Sequence, residues 1–171
     1  SRNMTNSVRA IETVEDFAGL KIRLQPNETH LNTFRAIGAS PVSMGISEVY
    51  AALQQGVLDG QENPNAIIAS RNFNEVQTHL SDSNHFFDYI VLVANKRNFE
   101  SLSDEHQAAV RDAAAEAIAW QRAQATTEDT ASRQVLIESG MVFTPISDAV
   151  RAELRERTLP VIDELKERIG S

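Results

Sequence analysis

Among the residues of this chain, Arg23 has the side chain best suited to recognition chemistry. It falls in a short alternating run, Leu20-Lys21-Ile22-Arg23-Leu24, that reads as a strand. Leu20, Ile22 and Leu24 point one way and Lys21 and Arg23 the other. A guanidinium is planar, always charged and offers paired donors, which suits a carboxylate. A strand-end arginine is most often simply solvated, so the residue alone leaves ligand contact and surface charge both open. Asn63 is the second candidate. It precedes Pro64 in the order expected at a helix entry, capping side chain first and proline at the first helical position. Free N–H groups and the positive end of a helix dipole would then face an anion there. Its amide can donate to a carboxylate or accept from a hydroxyl. Asp82, His85 and Asp88 lie close in sequence, but a metal site needs three or four converging ligands. They read as a polar loop.

Other chemistries find little support. There is no cysteine, which removes disulfides, thiolate metal sites and thiol nucleophiles together. No G-x-S-x-G elbow, phosphate-binding glycine loop or H-E-x-x-H motif is present. Glu12, Glu15, Asp16, Glu48 and Glu62 form no evident acid/base pair and read as caps or surface charges. No cofactor, metal or catalytic residue is expected. The formal net charge of −8 argues against a nucleic-acid partner, although a local basic site can sit inside an acidic protein. No apolar run approaches the ~20 residues that span a bilayer. The 171 residues suffice for one domain or two small lobes, with 42% hydrophobic and 23% charged residues marking a globular composition.

The elements that must position these residues read as strands alternating with helices, hence an α/β fold. Thr13 opens a short helix with Asp16 three positions on, Gly19 ends it, and the strand carrying Arg23 follows. A helix is expected from about Thr29 to Ile37 and an extended stretch over Pro41–Met44. Ser47 to Pro64 organises the middle: Ser47 as N-cap, Val49, Ala52, Leu53, Gly56 and Val57 on one helical face, Gly56 as terminator, and Asp59-Gly60 as a turn. Short helices are expected at Ala66–Ser70 and Phe73–Leu80. Tyr89–Ala94 is a continuous apolar run suited to a strand buried on both faces. Ser103 caps a helix that runs to about Ser139, with Gly140 as the stop, spanning on the order of 50 Å. Its narrow face of Val110, Ala113, Ala114, Ala117 and Ile118 is expected to pack over a sheet. Met141–Phe143 reads as a strand. Ser147 caps a last helix that Pro160 should kink or restart.

The run S-E-V-Y-A-A-L-Q-Q-G-V-L-D-G-Q-E-N-P over Ser47–Pro64, with Gly19-Leu20-Lys21-Ile22-Arg23 upstream, resembles the signature of TRAP (tripartite ATP-independent periplasmic) transporter solute-binding proteins. The resemblance covers Arg2 to about Gly140 and weakens after that. It implies a periplasmic-binding-protein-like two-lobed fold, incomplete here because the first half of the family pattern has no counterpart. Residues 1–88 would form the main part of one lobe, 89–128 part of the other with the start of a bridging helix, and 129–171 a return to the first. The chain opens Ser1-Arg2-Asn3 with no signal peptide and reads as the C-terminal part of a member. The family's arginine in G-L-K-x-R, Arg23 here, would hold the substrate carboxylate in a two-pronged contact. Asn63 matches the ligand-binding asparagine of D-G-Q-E-N-P. Arg2 lies where members have a second arginine at the ligand, although by position it could equally be a frayed terminal residue. Ile46 falls where some members place an aromatic ring, with Met44 beside it, and His85 and Phe86 lie near a crossing between lobes. The implied function is capture of a small organic acid and delivery to the membrane subunits of an ion-driven transporter, in the periplasm and without bond chemistry. The implied partners are the organic anion, those subunits and the missing N-terminal half. The rivals are a carboxylate-processing enzyme on a similar scaffold and a non-binding, self-associating fragment.

Overall fold

A computed structural model describes residues 1–170, less the side chain of Thr126. Its centre is a six-stranded sheet in the order β3-β2-β4-β1-β5-β6. The strands are β1 (Arg2–Asn6), β2 (Lys21–Leu24), β3 (Ser40–Ser43), β4 (Gly60–Asn63), β5 (His79–Phe86) and β6 (Val142–Pro145). β2 runs parallel to β3 and β4, and β5 runs parallel to β6. β1 is antiparallel to both of its neighbours, β4 and β5. All strands but β1 therefore point the same way. Their carboxyl ends, together with the start of β1, lie along one edge of the sheet. In open α/β sheets that edge is where ligands bind.

The helices are α1 (Glu28–Ala36), α2 (Ile46–Gln54), α3 (Asn65–Ser70), α4 (Lys96–Glu100), α5 (Asp104–Glu138) and α6 (Asp148–Ile169). Local chemistry explains many of their ends. Asn27, Ser103 and Ser147 accept from the backbone N–H three residues on, as N-caps do. Gly56 follows α2 with φ +70°, a left-handed conformation that side chains resist. One apolar cluster joins Met4, Ile22, Leu24, Phe17, Leu31 and Phe34 to Ile146 and Val150. The other joins Val49, Leu53, Leu58, Ile68, Phe73 and Leu80 to Leu136 and Met141. The far end of the chain is thereby built into the same body as the first 86 residues.

Several expectations are corrected. α2 begins at Ile46 with Gly45 as its cap residue, so Ser47 lies inside the helix. Asp59-Gly60 is no turn. The Asp59 carboxylate accepts from the Lys21 N–H at 2.8 Å, and Gly60 opens β4. A Cβ on Gly60 would sit 2.1 Å from the Thr5 carbonyl oxygen, so glycine is needed for strand approach rather than for a turn. Thr13 does not cap by its own side chain. Asp16 reaches back instead, accepting from Thr13 N–H and Oγ1. The Phe73–Leu80 helix is a single 3₁₀ turn, Phe73–Glu75, and His79 already belongs to β5. The polar loop read at Asp82–His85 is strand as well. α6 runs through Pro160 without restarting, leaving the Glu156 carbonyl without its usual donor.

Tyr89–Ala94 is the largest difference. It forms no strand, and Tyr89 to Val93 are 72–95% exposed. A run buried on both faces needs strands beside it and layers above and below, and among the described residues none reaches it. The Ala-rich face of α5 is likewise open, with Val110 46% and Ile118 38% exposed.

Candidate ligand-binding site

The edge formed by the strand carboxyl ends gathers two arginines. Arg2, at the start of β1, is 6% exposed and far from frayed. Its Nε and Nη2 donate to both carboxylate oxygens of Glu62, and Nη2 also donates to the Glu62 carbonyl at 3.0 Å and to Asn63 Oδ1 at 3.1 Å. Its Nη1 donates to Asp88 at 2.8 Å. Glu62 is 0% exposed, which overturns its reading as a cap or surface charge. Burial alone would raise the Glu62 carboxyl, but hydrogen bonds and charge from His85 and Arg2 outweigh it and hold the group below its usual range. Burial likewise works against the Arg2 charge, and its bonds to Glu62 and Asp88 reverse the effect and raise its pKa.

A bulge delivers His85 to this cluster. The β1–β5 register jumps from Met4 opposite Ser81 to Arg2 opposite Phe86, so β5 carries extra residues. Asn84 takes a left-handed φ of 45°, and its N–H donates to Asn3 Oδ1 at 3.1 Å. The His85 ring then lies 3.3 Å from Glu62 through Nε2 and 2.7 Å from Ser83 Oγ through Nδ1. Phe86 turns elsewhere, stacking on His30 at 4.0 Å and packing against the first apolar cluster.

Arg23 stands in a different state. It is 3% exposed, and among the described residues the only hydrogen bond of its side chain runs from Nε to the Met44 carbonyl, at 2.8 Å. Among the described residues no carboxylate pairs with it. Burial lowers its pKa, attraction to Glu62 opposes this, and the nearby charge of Arg2 adds to it. The Nε contact holds the guanidinium while leaving both terminal amino groups without a protein partner among the described residues. Met44 and Ile46 are half-buried and pack on the second apolar cluster, so Met44 meets Arg23 through its backbone.

Asn63 ends β4, and the cap position of α3 falls to Pro64. The expected helix-end anion site is therefore not formed by Asn63. Its amide is held from both sides, donating to Gln61 Oε1 at 2.6 Å and accepting from Arg2. Gln61 continues to Thr5 at 3.0 Å, Thr5 to Gln77 at 2.8 Å, and Gln77 to Ser7 at 3.1 Å. This buried chain fixes Gln61, which lies beside Arg23 in the β2–β4 pairing.

A cavity of about 420 Å³ opens at the same edge, lined by Arg2, Asn63, Ile67, Asp88, Glu128 and Asp129 among others. A second, of about 470 Å³, lies between α1, β5 and α6, lined by Phe34, His85, Leu154 and Arg155 among others. The predicted site residues therefore do not share one cavity: Arg2 and Asn63 line the first and His85 the second. Asp82, His85 and Asp88 diverge toward Asn84, Glu62 and Arg2 respectively, and among the described residues no group of three or more His, Asp or Glu could hold a metal. Glu62, Asp88 and Gln61 were missed as site residues. Glu62 and Gln61 stand within the Ser47–Pro64 run, but only the pairing of β1 with β4 shows what they bond.

A mixed sheet flanked by helices, with two buried arginines along the edge where most strand carboxyl ends meet, is an α/β architecture of the kind found in one lobe of periplasmic binding proteins. The chain belongs to the bacterial extracellular solute-binding proteins, family 7, whose model matches residues 1–168. It is 35% identical over 158 residues to the C4-dicarboxylate-binding periplasmic protein DctP of Rhodobacter capsulatus, covering 92% of this chain and 47% of that protein. It superposes with TM-score 0.92 and 34% identity on the sugar acid binding protein DctPAm of Advenella mimigardefordensis in complex with galactonate, covering 99% of this chain and 55% of that one. A TRAP periplasmic solute binding protein from a Polaromonas species, bound to D-erythronate, gives TM-score 0.90 at 33% identity, covering 99% of this chain and 55% of that one. The chain thus spans about half the length of the relatives it matches.

Proposed function

We propose that the protein containing this chain captures a small organic carboxylate in the periplasm and hands it to the membrane subunits of a TRAP-type transporter. The observation that carries this reading is the state of Arg23: buried, fixed through Nε, and without a carboxylate partner among the described residues. A buried charge is costly unless paired. A ligand carboxylate placed on the two free amino groups supplies that pairing in bidentate form. Asn63 and Arg2 line the cavity at the same sheet edge, a cavity that Arg23 itself does not line, and the Asn63 amide is oriented by Gln61.

Residues 1–88 and 129–171 would form one lobe, and 89–128 would join a second lobe built from the rest of the full-length protein. The exposed Tyr89–Val93 run and the bare face of α5 are the surfaces that second lobe would cover. Closure would exclude water and strengthen the charge-assisted bonds. No bond chemistry is assigned, in keeping with a family of substrate-binding proteins. Calorimetry on the full-length protein with a panel of organic acids tests the reading. Arg23→Ala should weaken binding by well over ~10-fold. An unchanged affinity in a folded variant contradicts the anchor.

A further inference from the structure

Helix α6 meets the rest of the protein most closely through its first turns. Val150 is 9% exposed and Leu154 packs against the first apolar cluster, but Ile162, two turns further on, is 41% exposed. A gap is left between α6, α1 and the end of β5, the cavity of about 470 Å³ described above. That volume suits a small molecule. Its apolar lining comes from Phe17, Phe34, Ile37, Leu154 and Ile162. Thr33 and Thr158 also line it, but their hydroxyls donate within their own helices, to the Thr29 and Leu154 carbonyls at 2.8 and 2.9 Å.

The charged lining has one sign. Arg151 and Arg155 border the cavity, and among the described residues no carboxylate does. Arg151 is fixed by neutral groups, donating to the Ser83 and Asp82 carbonyls at 2.7 Å each. The Asp82 carboxylate lies 3.9 Å from Arg151 and 4.0 Å from Arg133, so one negative charge is shared by two arginines. Arg155 is exposed, and among the described residues its side chain has no hydrogen bond or ion pair. Positive charge is thus in excess here, in a chain whose formal net charge is −8. Arg2, Arg23 and Asn63 line no part of this cavity.

We infer that the cavity between α1 and α6 is a second binding site, for an organic anion with an apolar body, such as a medium-chain carboxylate. The apolar part lies against Phe17, Phe34, Ile37 and Leu154, where it leaves water. The acid group meets Arg151 and Arg155, whose guanidinium groups stay charged and suit a carboxylate. This site goes beyond the capture proposed at Arg23 and does not depend on it.

The test is titration calorimetry on the full-length protein with decanoate and decylammonium, which share a chain and differ in the sign of the head group. The wild type should bind decanoate about tenfold or more tighter than decylammonium. Arg155→Glu and Ile162→Glu, both at exposed positions and so tolerated by the fold, should each weaken decanoate about fivefold. Arg23→Ala should leave decanoate binding unchanged. Absence of decanoate binding overturns the inference, as does decylammonium bound equally well. Decanoate affinity that survives both α6 substitutions does the same. Loss of decanoate binding in Arg23→Ala also overturns it, by placing the probe at the capture site. Failure of the second site leaves capture at Arg23 standing, since the panel of organic acids tests that separately.

Discussion

Arg2 and Arg23 are buried to nearly the same degree at one edge of one sheet, yet their surroundings make them opposites. Arg2 sits in a closed set of bonds that spans β1, β4 and the segment after β5. Its charge is compensated before any ligand arrives, so it joins parts of the fold. Arg23 is oriented but not compensated. Burial therefore does not separate the two arginines; the number and charge of their partners does.

The largest effect that would sharpen this contrast is on stability. Arg2→Ala leaves Glu62 buried without its main counter-ion and should cost about 3–5 kcal/mol in denaturant unfolding of the full-length protein. Arg23→Ala removes no counter-ion of the protein and should cost far less. Equal losses for the two variants would break the comparison. The second effect is on affinity and reverses the ranking: Arg23→Ala should lose about 2–5 kcal/mol of binding free energy by calorimetry. Arg23→Lys comes third. It keeps the charge but loses the two-pronged geometry, so its loss should be smaller, about 1–2 kcal/mol. Full affinity in Arg23→Lys would mean that charge alone matters.

Acid gives the smallest and most gradual effect. Glu62 is held below 4.5 in the folded protein, so unfolded chains take up that proton first. Stability from this group is complete above about pH 4.5 and falls as the pH drops toward the folded value. His30 acts in the same direction at higher pH. Burial lowers its pKa below 6.5, the unfolded chain again protonates first, and stability declines as pH falls below about 6.5. A pH series of unfolding midpoints should show both windows, with His30→Gln removing the upper one.

What the sequence made legible was local. The Ser103 and Ser147 caps, the Gly56 and Gly140 stops and the β2 strand follow from neighbouring residues, and 3.6-residue periodicity was enough for α5, whereas the Asn27 cap of α1 went unread. β1, β4 and β5 were not legible. Their sequences, RNMTN, GQEN and HLSDSNHF, are polar and show no strand alternation, and they become strands by pairing with one another. Glu62 could not be read as buried, since its counter-ion lies 60 residues away. The opposite error occurred at Tyr89–Ala94, where composition suits an inner strand but pairing partners are absent among the described residues. Arg23 was singled out from strand position and family motif together; its lack of a counter-ion among the described residues, the feature on which its proposed role rests, appears only in three dimensions.

The most direct test is a crystal structure of the full-length protein with a bound organic carboxylate identified by calorimetry. Both carboxylate oxygens should lie about 2.7–2.9 Å from the terminal amino groups of Arg23, with the Arg2–Glu62 pair intact. A carboxylate seated on Arg2 with Glu62 displaced, and Arg23 left without it, would contradict the account.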